Sequence, residues 1–227
     1  MLIACTNLKG GVGKSTLSVH LASWLCSQGK RVALIDADTQ HSSSIWMQEA
    51  EREIRVFPLH DPDEILEQAP QLAQQYDVVI ADGPAGMAEL SRAILLRADL
   101  ALVLCGPGIL DLRASNAAVR VIKQAQSIRH GLPQALFIPN KIQVNTLLSN
   151  DLLSAAAEVG IPVAHTPIRL RQVYADAPTQ GTTIFRMGAR ARDAIKELTE
   201  LFTEVTSAQT SVDESGAEST YRERVSS

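Results

Sequence analysis

A chain that carries Leu8-Lys9-Gly10-Gly11-Val12-Gly13-Lys14-Ser15-Thr16 has few folds open to it. The apolar run Leu2-Ile3-Ala4-Cys5 precedes this stretch, and Leu17, Val19, His20, Leu21, Trp24 and Leu25 follow it at the three-and-four spacing of a helix packed on a sheet. The order is strand, glycine-rich loop, helix. Without side chains in the way, successive backbone N–H groups converge on phosphate oxygens, and the positive end of the helix dipole adds to their field. In such a loop Lys14 reaches the β- and γ-phosphates of a nucleotide and the Ser15 hydroxyl coordinates Mg²⁺. Gly10, Gly11, Val12, Gly13 and Thr16 are the remaining candidates for the cradle.

The rest of the chain predicts what surrounds that loop. With 227 residues, 45% of them hydrophobic, it fills one full-sized core and leaves little room for a second. Gly29 ends the first helix, and Val32-Ala33-Leu34-Ile35 is a continuous apolar run of the kind found in a buried parallel strand, closed by Asp36 and Asp38. Further strands are expected over 55–57, 78–82, 100–104, 135–138 and 162–165. Helices are expected over 42–53, 62–75, 87–97, 110–128, 146–159 and 189–206, the second of them opened by Asp61 as N-cap and Pro62 in its first turn. This alternation predicts an α/β fold over 1–206, a mostly parallel twisted sheet with helices on both faces and a nucleotide at the carboxyl ends of the strands, and the glycine-rich loop at its start makes a P-loop NTPase the expected member of that class. Residues 207–227 are dominated by Ser, Thr and Glu and read as a disordered tail.

Several classes are excluded. No apolar run approaches the roughly 18 residues that span a membrane, and a first strand at Leu2 leaves no room for a signal peptide, so a soluble cytoplasmic protein is expected. Cys5, Cys26 and Cys105 are far apart in apolar contexts and read as free thiols, not as zinc ligands. A net charge of −4 argues against a uniformly basic nucleic-acid binder but leaves a local basic patch open.

The loop departs from the strict phosphate-loop pattern: Leu8 stands where a glycine is expected, and Lys9 is an additional lysine. Lys-Gly-Gly-x-Gly-Lys-Ser/Thr-Thr resembles the deviant Walker A motif of the ParA/MinD class of ATPases. That resemblance implies that Lys9 crosses a dimer interface to the partner's nucleotide, a cation delivered in trans and comparable in role to an arginine finger. Asp36-Ala37-Asp38-Thr39-Gln40 resembles the class's Asp-x-Asp-Pro-Gln segment. By the match, Asp38 positions the attacking water and Asp36 supports the Mg²⁺ site, while Thr39 in place of proline makes the loop less rigid. Asp82-Gly83-Pro84-Ala85-Gly86 resembles a Walker B aspartate with its switch loop, which implies that Asp82 holds a Mg²⁺-bound water. Asn140 occupies the place of a base contact, although an asparagine at a strand end also serves as a turn residue. The segment 166–181, through Pro167, Arg169, Ala177, Pro178 and Gly181, resembles the stretch that runs from base pocket to dimer interface in small partition ATPases. Pro167 is accordingly a second base-pocket candidate.

Charge points to partners. Between Thr166 and Lys196 six cations (Arg169, Arg171, Arg186, Arg190, Arg192 and Lys196) face only Asp176 and Asp193. Such a run is either a solvated face or a docking surface. The resemblance favours non-specific DNA, bound by an ATP-dependent homodimer through Arg169, Arg171, Arg190 and Arg192, with a ParB-like or cargo-adaptor protein stimulating weak ATP hydrolysis at the nucleoid. The cargo would be a plasmid, a chromosome origin or a protein compartment. The alternatives are a MinD-like membrane-associated ATPase, which needs the basic amphipathic helix that 207–227 lacks, and a non-catalytic nucleotide-binding scaffold. An iron–sulfur electron carrier would need paired cysteines beside the switch region.

Overall fold

Period-two alternation through buried strands separates two helical layers. In β1 (Leu2–Thr6) every residue is buried, with Leu2 and Ala4 facing one layer and Ile3 and Cys5 the other. The computed structural model describes residues 1–207 apart from Met87, Asn145 and Ala157. Five more strands follow: β2 (Val32–Asp36), β3 (Arg55–Pro58), β4 (Val78–Asp82), β5 (Leu100–Cys105) and β6 (Gln134–Pro139). They form one six-stranded sheet in the order β3-β2-β4-β1-β5-β6, parallel throughout.

Helices α1 (Lys14–Ser27) and α2 (Ser42–Ala50) cover one face together with α8 (192–207), burying Leu17, Leu21, Met47, Leu198 and Phe202 against Ile3, Leu34, Ile80 and Leu102. The other face carries α3 (Pro62–Gln75), α4 (Ala88–Leu95), α5 (Ile109–Ile128) and α6 (Leu147–Ala156) over Leu2, Ile35, Val79 and Val103. The expected α/β class is therefore the observed one. Because β1 lies between β4 and β5, the chain reverses its winding direction beside β1, and the crevice at the carboxyl ends opens there. Register does the rest: Asp82 pairs with Cys5 on one side and with Asp36 on the other, so both carboxylates reach the same sheet edge as the loop after β1.

Several expectations change, among them the helix expected over 146–159, which is seen as α6, Leu147–Ala156. α2 stops at Ala50, short of 53, because Glu51 leaves helical geometry and its carboxylate accepts from the Ser23 hydroxyl at 2.8 Å. Residues 162–165 add only a parallel bridge between Phe137 and Val163, since Pro162 has no N–H to contribute to a ladder. A helix that the sequence reading did not anticipate, α7 (Val173–Thr179), occupies part of the stretch before 189, and residues 188–191 form a 3₁₀ turn that leads into α8. The expected helix over 87–97 is seen as α4, Ala88–Leu95. The tail expected over 207–227 lies, beyond its first residue, outside the described residues. Among the described residues no helix is long and apolar enough to cross a membrane.

Candidate nucleotide site

The loop between β1 and α1 is braced from three sides. Gly13 caps α1 at φ 97°, and a Cβ there would overlap the Asn140 side-chain amide. That amide donates to the Val12 carbonyl at 2.7 Å, and Lys141 Nζ donates to the Gly11 carbonyl at 2.7 Å. On the other side Asn7 accepts the Lys9 N–H at 2.9 Å and donates to the Leu104 carbonyl and the Ser115 hydroxyl. Lys14 is buried and donates to the Lys9 carbonyl at 3.0 Å; burial pushes its pKa down, against the pull of Asp82 and Asp38. Lys9 differs. Its side chain is 40% exposed and ion-paired with Asp111 of α5, on the rim of the loop.

The carboxylates divide into two kinds. Both oxygens of Asp36 are occupied: one accepts from Ser44 N–H at 2.8 Å and the Ser44 hydroxyl at 2.6 Å, the other from Asp38 N–H at 3.1 Å. Asp36 thus anchors α2 and the following loop, and Oδ1, which accepts one hydrogen bond, retains acceptor capacity for the support of a metal site expected of it. Asp82 is fully buried, accepts from the Ser18 hydroxyl at 3.3 Å with one oxygen, and keeps the other without a partner among the described residues. Burial pushes its pKa up to about 6 and the Asp36 charge works in the same direction, against the Ser15 hydroxyl and the Lys14 ammonium. A buried carboxylate oxygen with an unmet valence beside Ser15 is what a hydrated Mg²⁺ ion requires, so this donor set fits that metal.

Asp38 lies at the mouth of the cleft. Its side chain accepts from Gln40 N–H at 3.0 Å and its carbonyl from His41 N–H at 2.9 Å, closing a turn. The expectation that Thr39 loosens this loop meets a second restraint: the His41 ring sits edge-on to His60, with centroids 4.7 Å apart.

Two adjoining hollows open here. A cleft of about 630 Å³ is lined by Gly10, Gly11, Lys14, Ser15, Asp38 and Trp46, and a more apolar cavity of about 210 Å³ by Leu17, Ile168, Leu170, Tyr174 and Leu198. They share Gly13, Thr16 and Lys141. Asn140 borders the smaller cavity, but its amide already braces the loop. Pro167 does not border it. Ile168 N–H donates to the Pro139 carbonyl and its side chain turns inward, which leaves Pro167 in an outer pocket with His165 and Thr166. Lys141, Trp46, Tyr174 and Leu198 went unassigned from sequence, because scattered positions with no shared motif converge only in the fold.

The basic segment is largely neutralised. Arg171, with a side chain 26% exposed, lies 3.4 Å from Glu197 and 3.5 Å from Asp193 and borders the smaller cavity, so it is corrected from a DNA candidate to part of the cavity wall. Arg186 pairs with Glu51, Lys196 with Glu200, and Arg190 donates to Gln180. Arg169 and Arg192 are exposed and make no ion pair among the described residues, although Arg169 also borders the cavity.

Comparison with known proteins agrees with this geometry. Residues 3–184 match the CbiA family, the CobQ/CobB/MinD/ParA nucleotide binding domain. The chain is 31% identical over 209 residues to the maintenance of carboxysome distribution protein A of Halothiobacillus neapolitanus, covering 89% of this chain and 95% of that protein. The apo structure of McdA from Cyanothece superposes with a TM-score of 0.77 at 18% identity, covering 89% of this chain and 98% of that one. An ATP complex of McdA from Cyanothece gives 0.70 at 17% identity, covering 92% and 96%. At these identities the two structures speak for a shared fold.

Proposed function

The chain belongs to the CobQ/CobB/MinD/ParA nucleotide-binding family, and on that premise we propose a ParA-type ATPase that uses ATP-dependent dimerisation and non-specific DNA binding to position a cargo. The observation that carries the reading is the unequal placement of two lysines in one loop: Lys14 buried beside the carboxylates, Lys9 on the rim where it can leave Asp111 for a second subunit. ATP and Mg²⁺ are the cofactors. Lys14 and the loop amides offset phosphate charge, and the smaller cavity takes the base. Ser15 and Asp82 would hold Mg²⁺, which would supply positive charge to offset the negative charge that develops on the phosphates during transfer. Asp38 orients the attacking water in line, and the partner's lysine supplies the last cation.

The likeness to a carboxysome-distribution protein favours a protein compartment as cargo over a plasmid or chromosome origin. DNA binding by Arg169, Arg190 and Arg192 would make the closed dimer nucleoid-associated, and a ParB-like or cargo-adaptor partner would raise a weak intrinsic hydrolysis rate. The difference in DNA affinity between nucleotide states is what moves the cargo. The test is Lys9→Ala with a slowly hydrolysed ATP analogue: nucleotide binding should persist while dimerisation by light scattering and ATP-dependent DNA binding are lost. A variant that still dimerises defeats the trans role. Flotation of the ATP-bound protein with liposomes would instead support the membrane-associated alternative.

A further inference from the structure

Glu197 of α8 is 7% exposed, and three donors converge on it. Its Oε1 accepts from the Arg169 backbone N–H at 3.0 Å and from the Tyr174 hydroxyl at 3.0 Å, and its Oε2 lies 3.4 Å from Arg171 Nη2. Arg169, Arg171 and Tyr174 all line the cavity of about 210 Å³, whereas Glu197 does not. The carboxylate therefore stands behind the wall and gathers it. Burial, with the Glu197 charge added, pushes the Tyr174 pKa up, which keeps the hydroxyl protonated as the donor of that bond. Arg171 retains a buried Nε–H with no acceptor among the described residues.

A carboxylate this deep is a costly way to fill space, since burying its charge carries a desolvation penalty that its three donors must offset. What the charge adds is direction: it fixes the Arg169 backbone, a guanidinium plane and an aromatic ring at set positions. We propose that Glu197 is a positioning residue for the nucleoside end of the site, holding Arg169, Arg171 and Tyr174 at the spacing that admits a purine base. The inference rests on the preceding reading of this cavity as the base side of an ATP site. It adds that base affinity depends on a residue of α8 that the base never touches.

Ligands that share the phosphates but differ in the base separate this role from a structural one. ATP and inorganic tripolyphosphate, each with Mg²⁺, are titrated against the full chain. Glu197→Gln keeps an acceptor for Arg169 and Tyr174 but turns an amide toward Arg171. It should weaken ATP roughly tenfold and Glu197→Ala more, while tripolyphosphate affinity and turnover at saturating ATP stay within about twofold. Tyr174→Phe should weaken ATP by a few-fold, and the double variant Glu197→Ala/Tyr174→Phe should be no worse than Glu197→Ala alone, because both act through one hydrogen bond. Should Glu197→Ala fail to fold, Glu197→Gln and Tyr174→Phe carry the same comparison. Equal losses for ATP and tripolyphosphate, or strictly additive losses in the cycle, overturn the proposal. A wild-type protein that binds tripolyphosphate as tightly as ATP also overturns it, because the cavity then takes no base. A wild-type protein that binds neither defeats the nucleotide reading itself, and the inference falls with it.

Discussion

Around the phosphate loop Lys14, Asp38 and Asp82 share a small volume without forming an ion pair among the described residues, whereas along 169–200 most cations have found a carboxylate or an amide. The first arrangement keeps charge unmet: a buried ammonium with a depressed pKa, a carboxylate raised to about 6, and an oxygen with no donor among the described residues. The second is mostly satisfied, with Arg169 and Arg192 unpaired among the described residues. A site that must stabilise an incoming anion and a metal is built under electrostatic tension that the ligand relieves, while a satisfied surface gains little from a ligand beyond its few free cations. The contrast identifies the phosphate end as the chemical centre and reduces the basic arm to a few contacts.

The contrast breaks most sharply at Lys14. Lys14→Ala should weaken ATP binding by about a thousandfold, since it removes several charge-assisted bonds from a narrow loop. Calorimetric titration with unchanged affinity would mean that the loop does not hold the phosphates. Next in size, Asp38→Ala should leave ATP affinity and dimerisation near wild type and slow partner-stimulated hydrolysis roughly a hundredfold, because water positioning is lost and phosphate contacts are not. Wild-type turnover would move the catalytic carboxylate elsewhere.

The basic arm is sharpened by a pair of charge reversals that treat two arginines of one segment as unlike. Arg192→Glu should weaken ATP-dependent DNA binding about tenfold and make its salt dependence shallower, as expected when a phosphate contact is lost from each subunit. Arg171→Glu places a second anion against Glu197 and should lower the melting temperature and the ATP affinity instead. If both variants shift only the salt series, Arg171 is a surface cation after all and the description of the cavity wall is wrong.

What could be read in advance follows the same division. Lys14, Ser15, Asp38 and Asp82 belong to contiguous segments in which a strand, a turn and a helix start decide where each side chain points, and the buried runs 32–35 and 78–81 announce parallel strands by composition alone. That Asp36 also anchors α2 was not legible, because only the fold brings Ser44 onto it. Asn140 and Lys141 brace the loop from the end of β6, a contact made across the sheet and invisible in the chain order. The count of six cations against two carboxylates ended at Lys196, one residue before Glu197, and could not include Glu51 just after α2. The α7 helix was hidden by Pro178 near its end.

The smallest expected effect concerns the joint between these two regions. His20 of α1 is fully buried, its Nδ1 2.7 Å from the Thr16 carbonyl and its Nε2 accepting the Ile184 N–H at 3.1 Å, so a neutral ring ties the helix behind the phosphate loop to the segment that carries Arg186 and Arg190. Burial pushes its pKa down to about 4, outweighing the Thr16 hydrogen bond that favours the proton. In the unfolded chain the ring takes up a proton near pH 6.5, so between pH 6.5 and 4 the unfolded state holds more protons and stability falls as pH falls. The loss should reach about 0.7 kcal/mol between pH 7 and pH 6, and grow toward roughly 3 kcal/mol at pH 4. Asp82, held up to about 6, pulls the other way over the lower part of this window, because there the folded state binds the extra proton. The wild-type curve alone therefore understates the His20 effect, and the informative quantity is a difference. His20→Gln should be less stable than wild type at pH 7, and urea denaturation at pH 7 and pH 6 should find that gap narrower by about 0.7 kcal/mol at the lower pH, since the variant has nothing to titrate there. A gap that widened toward pH 6 would mean that His20 is protonated inside the fold and that the joint is an ionic one, and a gap independent of pH would mean that folding leaves its pKa unchanged.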